Sequence, residues 1–118
     1  MNKKYEAVFC AVNAGFVEDV LYAARKAGAA GGTIIKGRGT TSREAEEQFN
    51  IIIQPEKELV MMLVPHEIKD KVLRSVYEHT GLESRSQGII FSLPVTDALG
   101  LKDFEDKSGK ETQQKAEE

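Results

Sequence analysis

The sequence predicts an α+β protein in which a four-stranded antiparallel sheet carries two helices on one of its faces. Segments of strand and helix type follow one another in the order strand, helix, strand, strand, helix, strand. A weak internal repeat supports this order, because each half has a helix that ends at a glycine and then a glycine that leads a strand, Gly32 in the first half and Gly88 in the second. Two such halves side by side form a ferredoxin-like βαββαβ sandwich.

The first half opens with residues 5–12, which are rich in β-branched and aromatic side chains and are followed by the turn-like Asn13-Ala14-Gly15. This pattern predicts the first strand. Residues 16–27 place apolar side chains at helical spacing, with acids early and bases late, as the helix dipole favours. Gly28 is the expected end of this helix, and residues 33–36 predict the second strand.

The middle of the chain combines a long polar segment with an unusually apolar strand. Residues 37–50 begin with glycines and predict a long exposed loop, which in a compact domain is often functional. Residues 49–53 predict a return to strand structure, and residues 59–64 predict the third strand. Because that strand is apolar at every position, both of its faces should be covered. Packing against other copies of the chain would cover the face without helices.

The second half repeats the arrangement of the first. A second helix is predicted to begin at Pro65 and to end at Gly81, with its apolar residues on one face. A second polar loop at residues 82–87 leads into the last strand at residues 88–95. Residues 97–101 predict a short final element.

Composition divides the chain into a domain and a tail. The 118 residues are enough for one domain. Residues 102–118 contain only two apolar side chains, Phe104 and Ala116, among four lysines and six acids. Such a segment cannot bury enough apolar surface to fold, so we expect a folded domain over residues 1–101 and a disordered tail after it.

Charge and hydropathy exclude several classes of protein. The net charge of −3 argues against a nucleic-acid partner, since nucleic-acid-binding domains usually carry a basic stripe. The longest apolar run has six residues, which is too short for insertion into a membrane. The chain starts without an apolar signal segment, so a cytoplasmic protein is expected.

No constellation of residues supports catalysis or a metal site. His66 and His79 lie at the two ends of the second predicted helix, too far apart to share a metal, and are interpreted as solvent-facing residues. Cys10 alternates with apolar residues in a predicted strand and is interpreted as a small buried thiol. A single cysteine also permits no internal disulfide. The sequence therefore predicts a protein that is not an enzyme.

Two glycine-containing segments are candidates for binding an anion. In Lys36-Gly37-Arg38-Gly39-Thr40, glycines would let backbone N–H groups converge, and the arginine and threonine add donors. The segment from Thr80 to Gly88 is similar in kind, with hydroxyls, one arginine and two glycines. An ordinary turn is the favoured explanation of either segment when it is taken alone, and neither has the Gly-Lys-Ser/Thr ending of a Walker loop.

Together these features resemble the PII nitrogen-regulatory signal-transduction family, over about residues 3–100. The most specific parts are Lys36-Gly37-x-Gly39 and Gly88-x-Ile90-Phe91-x-x-Pro94-Val95. The resemblance implies a ferredoxin-like homotrimer that is not an enzyme. It also implies clefts between subunits that bind adenine nucleotides, and a loop after the second strand that docks on a regulated transporter or enzyme.

The resemblance also implies which residues bind the effector and which dock on the partner. The expected effector site consists of Thr33, Gly37, Arg38, Gly39, Thr40, Gly81, Ser84, Arg85, Ser86, Gln87 and Gly88. The expected docking loop lies within residues 37–53 and presents Thr41, Ser42, Arg43, Glu44, Glu46, Glu47, Gln48 and Phe49.

Several positions depart from the family's pattern, so the chain resembles a divergent member. Ile89 stands where the family has a phosphate-binding lysine, and Leu99-Gly100-Leu101-Lys102-Asp103 stands where it has an Arg-x-Arg pair. Val60 replaces an acidic residue associated with adenine, and Glu56 replaces a lysine, although Lys57 is adjacent. The loop tyrosine used for uridylylation is also absent from residues 40–49.

These departures predict an altered ligand preference. No cofactor is obligatory, and ADP, AMP or ATP is the expected kind of effector, with cyclic dinucleotides and bicarbonate-linked signals left open. The classical response to ATP with 2-oxoglutarate is less favoured. The alternative is a ferredoxin-like trimer of structural, interaction or metal-associated type that binds no nucleotide.

Overall fold

The computed structural model describes residues 4–40, 44, 47–48, 55–81 and 83–101. Its elements follow the order predicted from the sequence, which confirms the ferredoxin-like α+β fold class. They are β1 (Tyr5–Asn13), α1 (Val17–Lys26), β2 (Thr33–Arg38), β3 (Glu56–Pro65), a 3-10 turn (His66–Ile68), α2 (Lys69–Thr80) and β4 (Ile89–Val95).

The four strands form one sheet in the order β2-β3-β1-β4, and every neighbouring pair is antiparallel. The central pair is β1 with β3, whose register runs from Tyr5 opposite Pro65 to Asn13 opposite Lys57. The two βαβ halves are therefore interleaved, since β3 of the second half separates β1 from β2 of the first.

One face of the sheet packs against both helices and forms the core. Side chains of successive strand residues point to opposite faces, and the buried apolar residues of β1 and β3 all have even numbers. They join the apolar faces of α1 and α2 in a single cluster. Its central members are Val8, Cys10, Val12, Val20, Val60, Met62, Val64, Val72 and Val76.

The opposite face of the sheet is also apolar, and no described element of the chain covers it. We call it the open face; it is formed by Ala7, Phe9, Ala11, Ile35, Leu59, Met61, Leu63, Ile89, Phe91 and Leu93. Phe9 and Phe91 stack there with ring centroids 5.2 Å apart. The side chains of Ile89, Phe91 and Leu93 remain 61%, 46% and 52% exposed. The third strand is thus covered on its helix side only, whereas its composition predicts cover on both sides.

The structure corrects the predicted start of the long loop. Gly37 and Arg38 belong to β2, because they pair with Lys57 and Glu56 of β3. The described part of the loop begins at Gly39, and Glu44, Glu47 and Gln48 are helical and exposed. Residues 97–101 have no regular secondary structure, so the predicted final element is wrong. The strand predicted at residues 49–53 and the tail at residues 102–118 lie outside the described residues.

Candidate functional site

The two glycine-containing segments lie at the same end of the open face, on the two outer strands β2 and β4. Between them lies a cleft of about 380 Å³, which we call the glycine cleft. The end of β2 with Gly39 and the turn before β4 both contribute to it, although they are far apart in the sequence. Its lining residues are Ala11, Ile35, Lys36, Gly37, Arg38, Gly39, Lys57, Glu58, Leu59, Gln87 and Ile89.

The glycine cleft combines an apolar surface with the positive charge of Lys57. Its apolar part comes from open-face residues such as Ile35, Leu59 and Ile89. Of the charged residues that line it, Lys57 shares the open face with Leu59, whereas Lys36, Arg38 and Glu58 alternate toward the helix side of the sheet. Glu58 already accepts a hydrogen bond from the Gly15 N–H at 3.0 Å. Such a cleft suits a ligand with a flat apolar part and an anionic group.

Gly39 and Lys57 form the wall of the cleft next to the long loop. The Gly39 N–H donates to the Pro55 carbonyl oxygen at 2.8 Å, which closes the base of the loop. A Cβ on Gly39 would lie 3.1 Å from Cε of Lys57, so the absence of a side chain at Gly39 lets the lysine stem lie across it. Thr40 follows this contact and is exposed.

The turn before β4 is built by its own hydrogen bonds. The Ser84 hydroxyl donates to the Gly81 carbonyl oxygen at 2.7 Å and accepts from the Ser86 N–H at 3.2 Å. The Gln87 N–H donates to the Ser84 carbonyl oxygen at 3.1 Å. Gln87 adopts a positive φ of 50°, which is uncommon for a residue other than glycine. Its side chain is thereby presented at the cleft, whereas Ser86 is buried.

The remaining predicted residues of this turn take different positions. Arg85 is exposed, and its backbone carbonyl accepts a hydrogen bond from Asn13 Nδ2 at 3.0 Å. Gly81 is buried against the Tyr77 ring, and Gly88 is buried against Thr80. These two glycines therefore shape the ends of the turn and do not line the glycine cleft.

Thr33 is the one predicted effector residue at the other end of β2. It lines a second cleft of about 380 Å³, the Thr33 cleft, with Ala30, Gly31, Gly32, Met61, Leu63 and Leu101. Thr33 lies four positions before Gly37 along the strand, a distance of roughly 13 Å. A single chain therefore does not bring Thr33 together with the other predicted effector residues.

Of the predicted docking loop, the structure describes Glu44, Glu47 and Gln48, which are exposed and helical. The other predicted docking residues lie outside the described part of the chain; they are Thr41, Ser42, Arg43, Glu46 and Phe49.

Asn13 is a site residue that the sequence reasoning missed. It ends β1 directly opposite Lys57, and its side chain contacts both Lys57 and the turn before β4. In the sequence it is only a polar residue in a turn-like triplet, and its partners are 44 and 72 residues away. The one available signal was its position at the end of a strand, where side chains of neighbouring strands converge.

The histidines and the cysteine occupy the kinds of environment that were predicted for them. His66 and His79 are exposed, although Nδ1 of His66 lies 2.7 Å from Oε2 of the buried Glu6. Burial of the Cys10 side chain raises the pKa of its thiol from 9.0 to about 11, although its hydrogen bond with Thr80 lowers the pKa by a smaller amount.

No group of three potential metal ligands occurs among the described residues. Neither described helix is long and apolar enough to cross a membrane.

The strand order defines a ferredoxin-like α+β protein, since both helices pack on one face of the sheet. A cleft lies between its two glycine-containing segments. Residues 4–105 match the family model described as nitrogen regulatory protein P-II. Because this match spans most of the chain, the protein belongs to the nitrogen regulatory protein P-II family, as the sequence motifs predict. None of the curated protein sequences matches the chain.

Solved structures of low sequence identity share the fold. P-II of Arabidopsis thaliana, solved with citrate, is 22% identical with a TM-score of 0.60, over 85% of this chain and 82% of that one. GlnK of B. subtilis in complex with ATP is 17% identical with a TM-score of 0.58, over 81% and 85%. A Bacillus cereus protein related to NIF3 is 17% identical with a TM-score of 0.64, over 80% of this chain. This chain covers only 26% of that larger protein.

Proposed function

We propose that this protein is a signalling protein without enzymatic activity that binds an anionic effector, an adenine nucleotide, in clefts between the subunits of a homotrimer. In the bound state it engages or releases a regulated protein, a transporter or an enzyme, through the loop at residues 37–53. The proposed location is the cytoplasm. The folded unit is residues 1–101, and residues 102–118 form a tail outside it.

The glycine cleft is the observation that carries this proposal. Its Lys57 ammonium favours an anionic group, and its apolar part favours a flat ring. Two structural neighbours were solved with anionic small molecules, citrate in the Arabidopsis protein and ATP in the B. subtilis protein. Membership in the P-II family makes a nucleotide the first candidate among anions of this kind.

The open face supports assembly with further copies of the chain. A stable monomer rarely leaves a contiguous apolar face of this size in water, and symmetric self-association would cover it. Assembly would also give the Thr33 cleft a role, since a neighbouring subunit could supply Thr33 to the glycine cleft of the first. The effector site is then complete only between subunits.

The loop after Gly39 supports control of a partner. Its described residues Glu44, Glu47 and Gln48 are helical and exposed, as a docking segment requires. The loop starts at the wall of the glycine cleft, so contacts with a bound anion can change its arrangement. A ligand that makes different contacts with two loop arrangements shifts the balance between them.

The departures from the family's pattern favour an effector with fewer charges than ATP. Ile89 is an apolar residue of the glycine cleft at the position where the family has a lysine. Each lost charge-assisted contact costs about 1.5–3 kcal/mol of binding. Lys57 lies in the cleft and offsets part of this loss, which suits ADP or AMP better than ATP.

Calorimetry with the full chain tests the proposal, using ATP, ADP, AMP, cyclic di-AMP and 2-oxoglutarate with and without Mg²⁺. We expect at least one adenine ligand to bind, and Arg38→Ala and Arg85→Ala to weaken it more than they weaken adenosine. No response to any adenine ligand at millimolar concentration would contradict the proposal. That outcome would favour the alternative, a trimer of structural, interaction or metal-associated type, which light scattering tests separately.

A further inference from the structure

The side chain of Asn13 lies between Lys57 of β3 and the turn before β4, and it contacts both. Its Oδ1 accepts a hydrogen bond from Lys57 Nζ at 2.7 Å. Its Nδ2 donates to the Arg85 carbonyl oxygen at 3.0 Å and lies 3.5 Å from Oε1 of Gln87. The backbone N–H of Asn13 adds a third link, because it donates to the Ser86 carbonyl oxygen at 2.9 Å.

An asparagine suits this position because both ends of its amide are in use. The oxygen end faces a lysine, which can only donate, and the nitrogen end faces a carbonyl oxygen, which can only accept. Aspartate would still accept a hydrogen bond from Lys57, but it would have no N–H to donate to the Arg85 carbonyl oxygen. Alanine would lose both side-chain contacts.

The lysine end of this contact continues to the base of the long loop. The stem of Lys57 lies across Gly39, whose N–H closes the loop base on Pro55. A continuous set of contacts therefore runs from the turn before β4, through Asn13 and Lys57, to the start of the loop.

We propose that Asn13 is a positioning residue that couples the turn at residues 83–87 to the loop base at Gly39. Its amide holds the Lys57 ammonium at the glycine cleft and the turn in its present shape at the same time. A change at Lys57 is then transmitted to the turn, and a change in the turn is transmitted to Lys57.

This coupling has a consequence for regulation, which rests on the proposed function. An effector anion that draws the Lys57 ammonium toward itself weakens the contact with Asn13 Oδ1 and changes the constraint on the turn. Binding at Lys57 would thereby change both the turn at residues 83–87 and the base of the docking loop at Gly39.

Amide hydrogen exchange, followed by NMR on the full chain without added ligand, tests the coupling itself. The probes are the Gln87 N–H in the turn and the Gly39 N–H at the loop base. The proteins are the wild type, Lys57→Met, Asn13→Ala and the double variant. We expect Lys57→Met to speed exchange at Gln87 about fivefold, the size of one net hydrogen bond, and to add nothing in the Asn13→Ala background.

Lys71→Met is the matched control, since Lys71 is an exposed lysine on α2, and it should leave both probes unchanged. Amides of the β1–β3 ladder, such as that of Val60, report whether each variant keeps its fold. As a second measurement, Asn13→Asp should speed exchange at Gln87 and leave Gly39 unchanged, because the contact with Lys57 remains. Lys57→Arg, which keeps a donor, should restore protection at Gln87.

The coupling is overturned if Lys57→Met leaves Gln87 unchanged, or if its effect is as large in the Asn13→Ala background. These outcomes are independent of any nucleotide. A protein that binds no adenine ligand but shows the coupled exchange would contradict the proposed function and support the role of Asn13.

Discussion

Gly88 and Thr80 join α2 to β4 through a backbone contact that leaves no room for a side chain. The Gly88 N–H donates to the Thr80 carbonyl oxygen at 2.7 Å, and a Cβ built on Gly88 would overlap that oxygen. Gly32 has the same role in the first half, where a Cβ would lie 2.7 Å from the Met61 carbonyl oxygen. The two glycines that mark the internal repeat are therefore required by close packing before a strand.

Replacement of Gly88 should strongly destabilise the fold. In Gly88→Ala the new methyl group must displace the end of α2 or the start of β4, and we expect the free energy of unfolding to fall by about 3 kcal/mol. Gly31→Ala is the matched control, since no atom lies within 4 Å of a Cβ there. It should change stability by about 0.5 kcal/mol or less. Urea unfolding measures both, and equal losses would contradict this explanation.

The fold was predictable because burial of one face of each strand and helix produces the alternation typical of strands and the spacing typical of helices in the sequence. The alternation in β1 and the helical spacing of Val17, Val20, Leu21 and Ala24 come from residues that the structure buries in a single core. The end of β2 was not predictable in this way. Gly37 and Arg38 have the composition of a loop, and only their pairing with β3 makes them a strand.

The candidate site was predictable where its residues lie close together in the sequence. The motif at residues 36–39 and the turn at residues 84–88 carry their own glycines and polar residues, and both contribute to the glycine cleft. Asn13 was not predictable, because its role depends on contacts with Lys57 and Arg85, which only the sheet register brings near. Thr33 was grouped with these residues by resemblance, and within one chain it lies in another cleft.

Cys10 should make stability depend on pH in the alkaline range. Its thiol has a pKa of about 11 in the folded protein, raised by burial from 9.0. Above pH 9 the unfolded state loses this proton while the folded state keeps it, so stability falls as the pH rises from 9 toward 11. We expect the wild type to lose about 2 kcal/mol more than Cys10→Ala between pH 8 and pH 11.

The Cys10→Ala protein is the reference in this experiment, because lysines and tyrosines titrate in the same range and act on both proteins. Urea unfolding at a series of pH values gives the difference between them. Parallel curves for the two proteins would show that the thiol does not contribute.

A charge placed on the open face should disrupt the proposed trimer. Leu93 is 52% exposed in the single chain, and self-association would bury it. In Leu93→Asp the buried carboxylate would have no partner, so light scattering should give a mass near 13.0 kDa in place of about three times that value. Tyr22→Asp is the control, since Tyr22 is 58% exposed but lies on α1, on the other side of the sheet. A wild-type monomer, or a trimeric Leu93→Asp protein, would contradict the assembly.

Ile89 offers a test of why this chain should favour ligands with few charges. It lines the glycine cleft and is 61% exposed, so a lysine at this position can extend into solvent or toward a bound phosphate without displacing core residues. Ile89→Lys restores the cation that the resemblance implies for the family. It should strengthen ATP binding by about tenfold or more, the size of one charge-assisted hydrogen bond, and strengthen AMP less.

Calorimetry with ATP, AMP and adenosine measures how much each affinity changes. Ile89→Met keeps the apolar character and should change none of the three affinities strongly. If Ile89→Lys strengthens adenosine as much as ATP, the added charge does not act on phosphate, and the preference for ligands with few charges does not come from Ile89.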